Sequence, residues 1–323
     1  MVASSLRTLM LSLACCTAPA VLAQPRYPDH PVKVVVALPA GGSVDMVARL
    51  VGQKMADDLG QPFVIDNRAG GSGQIGMPVV ARATPDGYTL AVSPASFLTT
   101  NKSIFKALPY DPEADFTPVA KLVNQAMVLV VRDKSRFGTA ADVLALAKAQ
   151  PGKLTFASSG DGSPQHLAGL MFESRAKVKM LHVPYKGGAP AITDLLGGNV
   201  DMIFAPMPEA LPHIRAGKLH PVAVLSEKRS AIVPDVPTMR EGGVDNLVLS
   251  AWIGLLAPAR TPQPIMDRLQ KSVRTVLSGD ARAKLVEAGM EPALDDAKPL
   301  KQTITDDIKI HAELVKAAGL VPQ

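Results

Sequence analysis

Apolar side chains recur along this chain in two rhythms. Short β-branched runs such as Val32-Lys33-Val34-Val35-Val36 alternate with longer segments in which apolar residues return every three or four positions, as between Met46 and Leu59. The first rhythm suits a buried strand and the second an amphipathic helix, so their alternation predicts an α/β fold with a largely parallel sheet. The first part of the chain reads as strands over 32–36, 63–66 and 88–92 and helices over 46–59 and 74–83. A second series reads as strands over 127–131, 153–157, 179–183, 201–204 and 221–225, with helices over 140–149, 164–174 and 189–196. A last apolar strand, 252–256, precedes amphipathic helices over 264–277 and 304–318. The chain is expected to cross to a second lobe near 126 and to return near 248, so that 24–126 with 248–323 form one lobe and 127–247 the other.

Ahead of the first strand, Met1 to Arg7 carries one positive charge and no acid, and Thr8 to Ala23 is uncharged and mostly apolar. This is the layout of a secretory signal peptide covering 1–23, with cleavage expected after Ala23 and a periplasmic destination. A permanent anchor needs about 20 continuous apolar residues, and Cys15, Cys16, Thr17 and Pro19 interrupt this stretch. The alternative, lipidation at Cys15 or Cys16, would leave a very short apolar core for export. Both cysteines of the sequence fall in the leader, so the mature chain is expected to use neither disulfides nor thiol chemistry.

The formal net charge of +5 is spread along the chain, and no basic run interleaves with aromatics. That argues against nucleic acid as a partner and suits an anionic ligand. Aromatics make up 4% of residues and Trp252 is the single tryptophan, which counts against a stacked sugar.

Candidate chemistry concentrates where strands run into helices. Pro39, Ala40, Gly41, Gly42 and Ser43 form such a loop, and Asp45 lies in the first turn of the helix after it. Free amides at a helix N-terminus, with glycines admitting a close ligand, make an anion site; the plainer reading is a tight turn. A second loop of this design runs from Ser158 and Ser159 through Gly162 and Ser163 to His166. Ser163 and Pro164 suit a helix cap and first turn, and His166 offers a hydrogen bond to a carboxylate. Ser93 and Ser96 offer hydroxyls at another strand end.

Other chemistries fail on context. Gly71-Ser72-Gly73-Gln74-Ile75-Gly76 has dinucleotide spacing, but the preceding strand ends near Asp66 and no ribose-binding acid follows at the right distance. No nucleophile elbow is present, and a Ser163–His166 pair lacks an orienting acid. The histidines at 30, 166, 182, 213, 220 and 311 are scattered, so neither a metal nor another cofactor is expected. A secreted serine hydrolase and a non-binding envelope scaffold remain open beside a carboxylate-binding protein.

Longer motifs point further: Tyr27-Pro28, Ala40 to Asp45, Asp66-Asn67-Arg68, Thr84 to Leu90, Leu108 to Pro112, His182 to Gly187, Asp194 to Asp201, Pro234 to Thr238 and Trp252 to Pro258. In this order they resemble the tripartite tricarboxylate transporter receptors, or Bug receptors. The resemblance implies a two-lobed periplasmic binding protein of type II fold with its ligand cleft between the lobes. It also implies a monomeric, non-enzymatic receptor that captures a small organic carboxylate and delivers it to membrane transporter subunits or a sensor protein, without inserting into the membrane. On that reading Pro39–Asp45 and Ser158–His166 face each other across the cleft, and Asp201 receives a ligand amine or anchors a loop. Leu38 stands where the family commonly has an aromatic residue and Val44 where it often has threonine, so ligand identity does not carry over.

Overall fold

The computed structural model describes residues 27–132, 134, 136–293, 297–317 and 322; the leader and its cleavage after Ala23 lie outside them. In chain order the elements are β1 (Val32–Val36), α1 (Ser43–Leu59), β2 (Phe63–Asn67), α2 (Met77–Ala81), β3 (Thr89–Pro94), α3 (Ala95–Leu98), α4 (Asn101–Ile104) and β4 (Phe116–Val131). There follow α5 (Ala140–Ala149), β5 (Thr155–Ser158), α6 (Pro164–Ala176), β6 (Leu181–Pro184), α7 (Gly188–Gly197), β7 (Met202–Pro206), α8 (Met207–Arg215) and β8 (His220–Val224). The chain closes with β9 (Ser250–Pro258), α9 (Gln263–Ser278), α10 (Ala281–Glu287), β10 (Glu291–Pro292) and α11 (Ala297–Ala317).

The helix at 140–149 forms where expected, because Thr139 and Asp142 close a reciprocal capping box in front of its apolar stripe. The strand expected at 127–131 proves to be the end of β4, which is 16 residues long. Its earlier part carries Pro118, Lys121, Asn124 and Gln125, which break the apolar run; shifts of register after Pro118 and Lys121 accommodate this stretch. Helix α8 went unread because Pro208 and Pro212 interrupt its periodicity, yet Pro208 falls in the first turn, where no backbone donor is missed. The helix expected over 74–83 is shorter, preceded by a 3-10 turn at Gly71–Gly73.

Strand β4 joins two ladders. Residues Phe116 to Ala126 pair with β9, in a ladder that continues through β3 and β1 to β2, while Met127 to Val131 pair with β7 and β8, beyond which lie β5 and β6. Each ladder has its own core, one around Val34, Val36, Val47, Val51, Leu255 and Leu269, the other around Met127, Leu129, Phe156, Phe172 and Phe204. Two helices tie them: Ile104 of α4 and Val315 of α11 bury in the second core. Among the described residues no helix is long and apolar enough to cross a membrane.

Candidate functional site

Strand register decides where the loops meet. The end of β3, Pro94, is paired with Ile253 of β9, and Ile253 with Val123 of β4; the end of β7, Pro206, is paired with Met127. Strand β3 runs along β4 toward that point and β7 runs against β4 toward it, so the two ladders end head to head, within about 13 Å along the connecting strand. The loops after β1 and β3 in one ladder and after β5, β6 and β7 in the other therefore open onto one crevice, where α/β sheets bind ligands.

In the first ladder, Pro39, Ala40, Gly41 and Gly42 are exposed and Ser43 is partly so. Gly42 caps α1 with no side-chain hydrogen bond, and among the described residues the amides of Gly42, Ser43 and Val44 have no acceptor. Open amides at the head of a 17-residue helix have the geometry to cradle an anion. Asp45 is 3% exposed and does not join the ligand side. Its carboxylate accepts from Gly41 N and Arg49 Nε, each at 2.9 Å, and from Asn67 Nδ2 at 2.9 Å. Burial alone would raise its pKa, but the Arg49, Gly41 and Asn67 donors hold it below the usual range. Asn67 also donates to Leu38 O, so the loop is fixed from behind while its own amides stay free. Ser93 is fully buried with its hydroxyl on Pro94 O, and Ser96 is 7% exposed in α3.

In the second ladder the loop turns on itself. Positive φ at Gly160 (+120°) and Gly162 (+71°) lets their amides reach inward, Gly160 N to Ser158 Oγ and Gly162 N to His166 Nδ1, each at 3.1 Å. Ser163 N bonds Gly160 O, and Ser163 Oγ caps α6 through His166 N. An amide cradle matching that of the first loop is thus largely consumed here. His166 is 3% exposed and lies under the loop with Nδ1 accepting, so it does not project to a ligand as expected. The histidines are not all scattered either: His166 and His182 stack with centroids 3.8 Å apart and planes 5° from parallel. Burial, reinforced by His182, lowers His166 to about 4, and burial lowers His182 below the usual histidine range, so the stack favours uncharged rings. Asp161 completes a trio whose ligand atoms lie within 4.8 Å of one another, a spacing that could hold a cation, although His166 Nδ1 is already engaged by Gly162.

Asp201 stands apart. It precedes β7, at the end of the strand remote from the crevice, and its carboxylate takes Thr155 N, Thr155 Oγ1 and Arg136 Nη1 at 2.8, 2.9 and 2.9 Å. It anchors two strand starts, and the expectation of a ligand role is corrected.

The crevice instead brings together Ser159, which was expected there, with Gln165 and Glu209, which the sequence reading passed over. Ser159 Oγ donates to Gln165 Oε1 at 2.9 Å, and Gln165 Nε2 reaches Glu209 Oε2 at 3.4 Å. Glu209 lies in the first turn of α8, just past the end of β7, partly exposed, and its carboxylate packs over Gly188 at the head of α7. Burial pushes its pKa up to about 7, opposed by the Gln165 hydrogen bond. Gly187 caps α7 without a side-chain bond and has open space beside it. The signal for this loop was present: Tyr185-Lys186-Gly187-Gly188 is a third strand-to-helix turn closed by glycines.

Residues 47–320 match the family described as tripartite tricarboxylate transporter family receptor. Among curated proteins, Protein BugT of Bordetella pertussis is 36% identical over 295 residues, covering 91% of this chain and 90% of its own. A protein encoded between tcbD and tcbE in Pseudomonas sp. strain P51 is 35% identical over 288 residues, covering 89% and 84%. Among solved structures, R. palustris Rpa4515 with adipate superposes at a TM-score of 0.87 with 33% identity, covering 92% of this chain and 100% of its own. The periplasmic binding protein BugD superposes at 0.84 with 35% identity and coverages of 92% and 100%. MatC from Rhodopseudomonas palustris with bound malate gives 0.82 with 33% identity, covering 90% and 100%.

Proposed function

The chain belongs to the tripartite tricarboxylate transporter receptor family, and from that premise we propose that it is a periplasmic receptor that closes two lobes on a small organic carboxylate and passes it to a tripartite-type membrane transporter or a sensor. The lobes are 24–126 with 248–323 and 127–247, hinged where β4 changes partners between Ala126 and Met127. The protein acts as a monomer, exported by its leader and without catalytic chemistry. Adipate and malate in two of its structural relatives agree with a carboxylate ligand.

One observation carries this reading. Gly42, Ser43 and Val44 present free amides at the head of α1, and Asp45, the one charged side chain of that turn, is paired from behind by Arg49 and hydrogen-bonded by Asn67. Charge-assisted bonds from fixed amides offset the desolvation of a carboxylate. Thermal unfolding across a panel of mono- and dicarboxylates is the test. A ligand at 100 times its dissociation constant adds about 2.7 kcal/mol to stability. A folded protein that no carboxylate stabilises would refute the receptor reading and leave the scaffold.

A further inference from the structure

The second ladder's half of the crevice carries a negative group of its own. The Glu209 carboxylate sits at the head of α7, over Gly188, where an added Cβ would strike both of its oxygens. Its Oε2 faces Gln165, its Oε1 has no hydrogen-bond donor among the described residues, and no cation pairs with it there. The position where a second ligand carboxylate would meet helix amides is therefore filled by a protein carboxyl.

We infer that Glu209 is a specificity residue, selecting a carboxylate whose far end carries an ammonium group over the dicarboxylate of the same length. This rests on the carboxylate-receptor reading above. The ligand carboxylate would take the Gly42–Val44 amides, and its nitrogen would donate to the open Oε1 of Glu209. An ammonium group keeps Glu209 ionised and paired. A second carboxylate in its place would stand against a like charge, or require Glu209 to be protonated, which its pKa of about 7 permits near neutrality and below but disfavours at pH 8.

Calorimetry with matched pairs tests this on the mature protein: β-alanine against succinate, γ-aminobutyrate against glutarate, δ-aminovalerate against adipate. Wild type is expected to prefer the amine member of its best-fitting pair by about tenfold or more at pH 8, the scale of one charged hydrogen bond. Glu209→Gln, nearly isosteric and able to keep the Gln165 contact, should erase or reverse that preference. Because the wild-type comparison needs no variant, a poorly folded Glu209→Gln protein leaves the test standing. Equal or tighter binding of the dicarboxylate by wild type overturns the inference and leaves the receptor intact. So does a preference that Glu209→Gln leaves unchanged. Failure of every carboxylate in folded wild type overturns both.

Discussion

Asn67 Nδ2 stands 2.9 Å from Asp45 Oδ1, and the same nitrogen lies 3.1 Å from Leu38 O. One side-chain amide at the end of β2 therefore grips both the backbone and the buried acid at the ends of the Pro39–Ser43 loop. Asn67→Ala would leave Leu38 O and one oxygen of Asp45 unfilled in a poorly solvated place. The expected loss is about 1–3 kcal/mol of stability, read by urea unfolding, with weaker carboxylate binding by the folded remainder. Unchanged binding in a folded variant would show that the loop holds its shape without this tie.

The two lobes also meet closely where Gly162 faces Ile104. Gly162 has φ +71°, and a Cβ there would overlap the Ile104 side chain of α4. Gly162→Ala is expected to destabilise by about 1–3 kcal/mol through overpacking and the left-handed backbone. Combining it with Ile104→Ala relieves the overlap, so the double variant should cost less than the two singles added, by at least about 0.5 kcal/mol. Strict additivity in denaturant titrations would mean that the loop swings clear of α4.

How far the sequence reached follows from what each feature depends on. Strand β1, helix α5 and the Pro39–Ser43 loop are set by local patterns, an apolar run, a capping box and paired glycines, and these are readable in one dimension. Glu209 was not readable, because its role arises only when α8 is seated after β7 beside Gly188, which lies 21 positions earlier (209 − 188 = 21). The same holds for the His166–His182 stack, which needs β5 and β6 to pair. Asp201 misled because a strand end looks the same in sequence whether it is the first residue or the last. Only the register with Thr155 shows that it sits at the end remote from the crevice.

Glu209 gives the fold a pH signature. Its pKa rises from 4.5 to about 7 on folding, chiefly by burial, so the folded chain binds this proton more tightly than the unfolded one. The resulting stability is fully present below 4.5 and is lost as pH climbs toward about 7. Since the carboxyl is partly exposed, a loss on the order of 2 kcal/mol is expected. In urea unfolding of ligand-free protein from pH 4 to 8, the stability of wild type relative to Glu209→Gln should fall as pH rises, a difference that removes the opposite slope of His166 and His182. Parallel curves would place the titrating group elsewhere.

The anion cradle itself is tested by deleting a donor without disturbing the loop. Gly42 has φ −81°, near the value that proline imposes, so Gly42→Pro removes one free N–H while keeping the local backbone direction. If amides at the head of α1 hold the carboxylate, binding should weaken by at least about 2 kcal/mol, the scale of one charge-assisted hydrogen bond and its geometry. Ser163→Ala provides the contrast, because that hydroxyl caps α6 through His166 N and the neighbouring amides are spent inside their own loop. It should cost about 1 kcal/mol, mainly of stability. Calorimetry after circular dichroism on both variants makes the comparison. Normal binding by Gly42→Pro together with abolished binding on removal of a distant lysine or arginine would place the carboxylate away from α1 altogether.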